Sequence, residues 1–309
     1  LVYVDLPLTS ATAAMIKAGT TIAEPDTGIG ESAWVSAGTY VLGDERIYDH
    51  KTFECVLGHT GRATTPDLDS AYWLQNERKP SNRWAPFDAY TDTPAVATTT
   101  MTYVLEPGFF TGISIYNPVG TAIAITVKDA PGGATIRSYT SDLYDPALGL
   151  YELLFMPLRQ RTKIVVDDIP MSPTAELTVT ITGTGTVEMG MLNIGHWRQI
   201  IGAGDWGGVQ YGASAEPKTY SYIKFNEDGT SQIKRRGKST DMRGSVAMPA
   251  ANADYANQLV QQVLDVPVSI VSATATGYDY LNVFGLISGS VKADSFGTAS
   301  FDFSVKGFL

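Results

Sequence analysis

Between Thr98 and Gly195 the chain alternates apolar and polar residues in short runs, and turn-forming residues separate these runs. A period of two residues is typical of strands that bury one face, and glycine with proline between runs is typical of turns. Two of the predicted turns are Pro131-Gly132-Gly133 and Gly183-Thr184-Gly185. The pattern predicts an all-β unit folded as a β-sandwich. Its predicted strands are residues 101–105, 112–116, 122–128, 135–139, 150–155, 163–166, 176–182 and 187–194.

Bulk composition excludes several classes of protein. With 309 residues, of which 44% are apolar and 17% charged, the chain is long enough for two or three folded cores and too apolar for extended disorder. A net charge of −10 argues against nucleic-acid specificity, because phosphate contacts need a positive surface. The single cysteine, Cys55, excludes an internal disulfide, and its apolar neighbours Phe53 and Val56 predict a buried thiol. No run approaches the roughly 20 apolar residues of a membrane helix, and the N-terminus lacks a secretory-signal pattern, so no membrane insertion is predicted.

The first 33 residues are predicted to form an N-terminal arm. Val2, Val4, Leu6 and Leu8 alternate with polar or small residues as in a strand. A lone strand is not stable in water, so this one must pair with another sheet or with a neighbouring subunit. The sequence leaves both pairings open, and it makes the arm a natural element for contacts between subunits.

Residues 34–80 are dense in aromatic and turn residues, which predicts a small unit of short strands. Tryptophans bracket a tyrosine, the turn Gly43-Asp44 and the aromatic strand Phe53-Glu54-Cys55, and this order resembles the small chitin-binding-type modules attached to glycoside hydrolases. The resemblance implies carbohydrate binding, in which flat aromatic rings stack on the apolar faces of sugars. The candidate stacking residues are Trp34, Tyr40, Tyr48, Tyr72 and Trp73. The alternative is that these side chains form the core of the unit, because small β units bury their largest side chains first.

A junction joins this unit to the β-rich remainder. The run Asn82-Arg83-Trp84-Ala85-Pro86-Phe87-Asp88, preceded by Tyr72-Trp73-Leu74, resembles a junction in virion structural proteins from bacteriophage tails. Two aromatic residues around a proline predict a rigid connector, in which Trp84 and Phe87 dock onto the sandwich. Arg83 is predicted to pair with a carboxylate such as Asp88.

The last third of the chain predicts a long hairpin, several strands and one helix. The hairpin strands are residues 219–225 and 232–236, around Asn226-Glu227-Asp228-Gly229. Residues 252–265 form the predicted helix, with Asn252 as N-cap and Pro267 as stop. Its apolar face consists of Ala256, Leu259, Val260, Val263 and Leu264. The other predicted strands are residues 242–248, 268–272, 280–287, 291–293 and 299–305.

This order of elements resembles the ring-forming unit of phage tail-tube and distal-tail proteins. The strand at residues 187–195, which precedes it, resembles the closing strand of galactose-binding-like jelly rolls. Four segments are therefore predicted in a mainly β protein. They are the arm (1–33), a small carbohydrate-module-like unit (34–80), a jelly-roll-like β-sandwich (81–200) and a tail-tube-like β domain with one helix (201–309).

Residues with catalytic potential are present, but their pattern is not catalytic. The glycines of Gly202-Ala203-Gly204-Asp205-Trp206-Gly207 have the spacing of a dinucleotide site, yet a hairpin follows them instead of a helix, so a linker is predicted. Asp167-Asp168, or Glu152 with Glu188, could act as glycosidase carboxylates, but nothing in the sequence brings either pair onto one sugar. The three histidines are too widely spaced for a local metal motif. No enzymatic activity, metal or cofactor is therefore predicted.

A basic cluster lies at the end of the predicted hairpin. It consists of Lys234, Arg235, Arg236 and Lys238. The cluster could form ion pairs with an acidic neighbouring subunit, face solvent or contact nucleic acid. A subunit interface is favoured because the chain itself is strongly acidic.

The resemblances together imply a structural component of a tailed-bacteriophage tail tip or baseplate, assembled in the host cytoplasm and located in the virion tail. Such proteins form closed rings that link the tail tube to the host-contact apparatus. We therefore expect threefold or sixfold self-assembly and contacts with other tail and baseplate proteins. The alternative function is a carbohydrate-binding adhesin that recognises a host cell-surface glycan. A cell-wall hydrolase is a third class, for which the sequence shows no nucleophile motif.

Overall fold

The computed structural model describes residues 3–7, 12–144, 149–156, 158–200, 209–225, 230–235, 237–272 and 278–307. The chain divides into two compact units, which are described separately. The N-terminal unit is Thr9–Ile194, and the C-terminal unit combines Leu1–Leu8 with Gly195–Leu309. Strands make up 51% and helices 11%, which confirms the prediction of a mainly β protein. The finer division into an arm and three domains stays a prediction.

The first strand, β1 (Tyr3–Pro7), belongs to the C-terminal unit. One edge pairs antiparallel with residues 195–199, and the other pairs with residues 270–271. The strand therefore finds both of its partners within its own chain. Pairing of this segment with a neighbouring subunit, which the sequence left open, is not what the structure shows.

Short strands build the first part of the N-terminal unit. They are β2 (Thr39–Tyr40), β3 (Glu45–Tyr48), β4 (Lys51–Cys55), β5 (His59–Thr60) and β6 (Trp73–Pro80). Strands β3, β4 and β6 form one antiparallel sheet, and β2 pairs with β5. Cys55 is buried in the core beneath them, as predicted. Single turns of 3-10 helix lie at Ala13–Met15, Thr27–Ile29, Pro66–Leu68 and Ala85–Phe87.

Longer strands build the rest of the N-terminal unit. They are β7 (Ala95–Leu105), β8 (Gly112–Val119), β9 (Ala122–Lys128), β10 (Thr135–Asp142), β11 (Lys163–Val166) and β12 (Glu176–Gln199), and β12 runs on into the C-terminal unit. Strand order is β10–β9–β12–β7, while β8 pairs with both β11 and β12. Alternate residues such as Ile123, Ile125 and Val127 are buried, so the predicted two-residue period is the one the fold uses.

Two sequence predictions in this region are wrong. Residues 150–155 form a short helix, α1 (Leu150–Phe155), and not a strand. This run is rich in leucine and contains no β-branched residue, so its composition favours a helix. The predicted turn at Gly183–Gly185 lies inside β12, where the register against β7 shifts between Thr182 and Thr186. The glycines thus accommodate an irregularity within one long strand.

In its described residues, the C-terminal unit is a curled antiparallel sheet with one helix packed against it. Its remaining elements are β13 (Ser214–Thr219), β14 (Tyr222–Phe225), β15 (Ser231–Lys234), β16 (Lys238–Pro249), α2 (Ala253–Gln262), β17 (Val268–Val271), β18 (Asn282–Ala293) and β19 (Thr298–Gly307). The sheet order is β1–β17–β18–β19–β16–β13. Single turns of 3-10 helix lie at Ala250–Asn252 and Asp279–Leu281.

Helix α2 confirms the helix predicted from the apolar pattern. Asn252 stands at the N-cap position, and α2 packs on β18 and β19. Ala256, Leu259 and Val260 are buried. The predicted extension to residue 265 is wrong, because the helix ends at Gln262 and Leu264 is exposed.

Strands β14 and β15 pair as the predicted hairpin and form a two-stranded sheet of their own. The predicted length is wrong, because each strand has four residues and Thr219 belongs to β13. The predicted turn at residues 226–229 and the predicted linker at residues 202–207 lie outside the described residues.

Candidate functional sites

Two of the five aromatic residues proposed for carbohydrate stacking are interior. Trp73 is only 2% exposed, and its ring meets that of Tyr40 edge to face at 5.0 Å. Tyr40 is also buried, and its hydroxyl donates to the carbonyl of Val35 at 2.9 Å. Both rings form a core with Phe53 and Cys55. Tyr40 and Trp73 are therefore wrong as stacking residues, because a small sheet has few other large side chains with which to build its interior.

The other three candidates, Trp34, Tyr48 and Tyr72, are half-buried at the edge of this core. Trp34 and Tyr48 meet edge to face at 5.5 Å. The guanidinium of Arg62 lies 3.8 Å from the centre of the Tyr72 ring. Asp69 holds that guanidinium with two hydrogen bonds of 2.8 and 3.2 Å. One face of Tyr72 is thus occupied by a fixed cation, a contact the sequence analysis missed.

The connector around Trp84 is held by a carboxylate clamp that has no local sequence signal. Glu24 Oε2 accepts a hydrogen bond from Trp84 Nε1 at 2.9 Å and lies 2.9 Å from His50 Nδ1. Glu24 Oε1 accepts a hydrogen bond from Ser81 Oγ at 2.6 Å. The ring of Trp84 also lies against that of His50, with centroids 4.2 Å apart. Both oxygens of Glu24 are engaged, so the cluster ties the connector to the segment that carries Glu24.

A second set of hydrogen bonds ties Asn82 to the start of the unit. Its Nδ2 donates to Asp26 Oδ2 at 2.6 Å and to the carbonyl of Val96 at 2.8 Å. Its Oδ1 accepts from the Val96 amide at 2.7 Å, and its own amide donates to Glu31 Oε1 at 2.7 Å. Burial raises the pKa of Glu31 above its usual range. Asn82 therefore joins the segment that carries Asp26 and Glu31 to strand β7.

The remaining connector residues lie against strand β7. The ring of Phe87 meets that of Tyr103 edge to face at 5.7 Å, and the Tyr103 hydroxyl donates to the carbonyl of Arg83 at 3.1 Å. The predicted ion pair between Arg83 and Asp88 is wrong. Asp88 instead accepts hydrogen bonds from the Tyr90 amide at 2.8 Å and from Thr93 Oγ1 at 2.5 Å.

Asp88 is expected to make the stability of the protein depend on pH. Burial raises the pKa of its carboxyl to about 6. The folded protein therefore favours the protonated carboxyl. The resulting stabilisation is present below about pH 4, the pKa of this carboxyl in the unfolded chain, and is lost as the pH rises through about 6. Asp88→Asn has no proton to lose. As the pH rises from 4 to 7, the parent loses this stabilisation and the variant does not. Over this range we expect the unfolding free energy of the variant to rise by about 1–2 kcal/mol relative to that of the parent, after allowance for solvent screening.

Urea unfolding of the parent and of Asp88→Asn at several pH values measures this change. The difference between the two proteins is the quantity of interest, since every other titrating group is common to both. Parallel stability profiles would contradict the assignment.

The hairpin carries the predicted interface residues on an exposed ribbon. Directly opposed residues share a face, so Ile223, Phe225 and Ile233 form an apolar face, while Lys224 and Lys234 lie on the other. All five side chains are exposed. Arg235 and Lys238 are exposed as well, and Arg236 lies outside the described residues.

The described side chains of the other catalytic and metal-binding candidates do not form a common site. Asp168 pairs with Arg137 at 2.8 Å, and the side chain of Glu152 lies outside the described residues. Within the described ranges no group of three or more His, Cys, Asp and Glu side chains is arranged to hold a metal ion. Across the same ranges no helix has the length and apolar character needed to cross a membrane.

Comparisons of the chain with protein-family models, with curated proteins and with solved structures found no match.

Proposed function

We propose that this chain is a structural component of a bacteriophage tail tip or baseplate, forming a ring that links the tail tube to the host-contact apparatus in the virion tail. The exposed hairpin, β14 with β15, is the observation that carries the proposal. The resemblance of the junction and of the C-terminal elements to tail proteins supports the same function. The proposal includes no catalytic step.

The hairpin has the properties of an interface element. A two-stranded ribbon in water is marginally stable, because neither face is covered. Its apolar face leaves Ile223, Phe225 and Ile233 more than half exposed. Contiguous exposed apolar side chains of this kind mark sites of protein association. A partner that covers this face would stabilise the ribbon.

The basic residues of the hairpin and the acidic net charge of the chain favour a second copy of this chain as the partner. The opposite face of the ribbon carries Lys224 and Lys234, with Arg235 and Lys238 nearby. The chain as a whole has a net charge of −10, so another copy offers an acidic surface. A contact between two different surfaces of identical chains closes into a ring when the rotation allows. Threefold or sixfold closure is the proposed outcome.

Light scattering after gel filtration, with negative-stain microscopy, tests the assembly. We expect a particle of three or six times the 33.2 kDa chain mass, with a central channel. Ile233→Asp is expected to weaken association at least about tenfold, because it places a charge in an apolar contact. Leu74→Asp is the matched control, since Leu74 is 60% exposed and Ile233 is 64% exposed.

Different outcomes test whether the chain forms a ring and whether the hairpin is the contact within it. A parent protein that stays a monomer at every concentration would overturn the ring. A ring that survives Ile233→Asp would show that the hairpin is not the contact. Lys234→Glu should also weaken the ring, and added salt should weaken the parent ring in the same direction.

A carbohydrate-binding adhesin is the alternative function. The half-buried rings of Trp34, Tyr48 and Tyr72 are the observation that favours it. Trp34→Ala or Tyr72→Ala should then remove binding of the folded protein on a glycan array. No binding at millimolar sugar would argue against an adhesin.

A further inference from the structure

The outward face of the C-terminal sheet carries an ordered grid of polar side chains. Strands β16, β19 and β18 are neighbours, and their registers align two rows across the three strands. One row is Arg243, Ser304 and Ser288, and the next is Ser245, Asp302 and Ser290. Residues between these positions, such as Phe303, are buried on the core side, so both rows point away from the core.

A groove of about 520 Å³ lies over this grid. The segment at residues 210–213 forms one wall, and the Gln210 amide is hydrogen-bonded to the carbonyl of Ser245 at 2.8 Å. Tyr211 belongs to this wall and is fully exposed. The volume lies within the range of small-molecule sites, about 300–1,000 Å³. The groove is therefore large enough for one or two sugar rings.

The chemistry of the lining restricts the ligand. Neighbouring strands lie about 4.8 Å apart, so the two rows present hydroxyl, guanidinium and carboxylate groups side by side. Ser288 Oγ lies 2.9 Å from Ser304 Oγ, and Asp302 pairs with Lys292. The Asp302 carboxylate can accept hydrogen bonds from ligand hydroxyls, and the Arg243 guanidinium can donate them. Among the described residues that line the groove, Tyr211 is the aromatic residue whose ring is open to a ligand.

We propose that this groove binds a polyhydroxylated ligand, namely a segment of a glycan chain. Tyr211 stacks on the apolar face of one sugar ring, and Asp302, Arg243 and the serines hydrogen-bond its hydroxyls. The site is separate from the aromatic residues of the small unit, and it does not depend on ring assembly.

A glycan array with the full-length chain, followed by calorimetry with the bound oligosaccharide, tests the proposal. Tyr211→Ala is expected to weaken binding about tenfold, because the stacking surface is lost. Ser290→Leu is expected to weaken binding by filling the groove. Phe296→Ala is the matched control, since Phe296 is an equally exposed aromatic of the same unit that does not line the groove.

Three results would overturn the proposal. One is the absence of binding to any glycan at millimolar concentration. Another is binding that neither Tyr211→Ala nor Ser290→Leu changes. The third is binding that Trp34→Ala or Tyr72→Ala removes while Tyr211→Ala leaves it intact, because the glycan would then sit on the small unit.

Discussion

Trp73→Ala is expected to lower the free energy of unfolding by about 3–5 kcal/mol, the range for removing a large aromatic side chain from a core. The Trp73 ring packs edge to face against Tyr40 at 5.0 Å and against His59 at 5.5 Å. Alanine would leave a cavity that neighbouring strands of two to eight residues cannot close without losing their pairing. The loss should fall on the small sheet of β3, β4 and β6.

Urea unfolding followed by circular dichroism measures the loss, and hydrogen exchange of peptides from residues 45–55 shows where it falls. Leu74→Ala is the control, because Leu74 is the next residue of the same strand and is exposed. That change is expected to cost less than about 0.5 kcal/mol. If Trp73→Ala kept the full unfolding free energy, the indole would not be part of the core, and Trp73 would again be a candidate for stacking on sugars.

Glu24→Ala is expected to cost about 2–4 kcal/mol of unfolding free energy. The carboxylate accepts hydrogen bonds from Trp84 Nε1 and Ser81 Oγ and pairs with His50, and its own side chain is mostly buried. Removing it leaves polar groups without an acceptor in a partly buried joint. Unpaired buried groups cost more than the net value of the bonds that they formed.

Glu45→Ala is the matched control for Glu24→Ala. Glu45 forms an ion pair with Lys79, and both side chains are exposed. Exposed ion pairs contribute about 0–1 kcal/mol, so the two glutamates should differ clearly in urea unfolding. Equal losses of unfolding free energy in the two variants would show that Glu24 does not stabilise the protein more than an exposed glutamate does. Faster hydrogen exchange near residues 81–84 in Glu24→Ala alone would support it.

Local pattern was sufficient for most of the strands. The predicted bounds of β9 (Ala122–Lys128) and β11 (Lys163–Val166) agree with the structure. Alternation is a property of neighbouring residues, so it can be recognised without knowing the partner strand. The helix at Ala253–Gln262 was recognised in the same way, through its period of 3.6 residues.

The failures had two causes, namely partners far along the chain and a run too short to show its period. Gly183–Gly185 has the composition of a turn, but pairing with β7 on both sides of a register shift keeps it within β12. Leu150–Phe155 is an apolar run too short for its period to separate a helix from a strand. The clamp on Trp84 joins residues up to 60 positions apart, and no local spacing marks them.

Residue types and their order were enough to establish a mainly β chain, its hairpin, its helix and the aromatic density of residues 34–80. Which aromatic rings are interior depended on tertiary packing. Tyr40 and Trp73 face the core, while Trp34, Tyr48 and Tyr72 reach its edge. Burial depends on what lies across the sheet, and a sequence of side chains does not specify that neighbour. For the same reason the polar grid over β16, β19 and β18 becomes a groove only once the strands are aligned side by side.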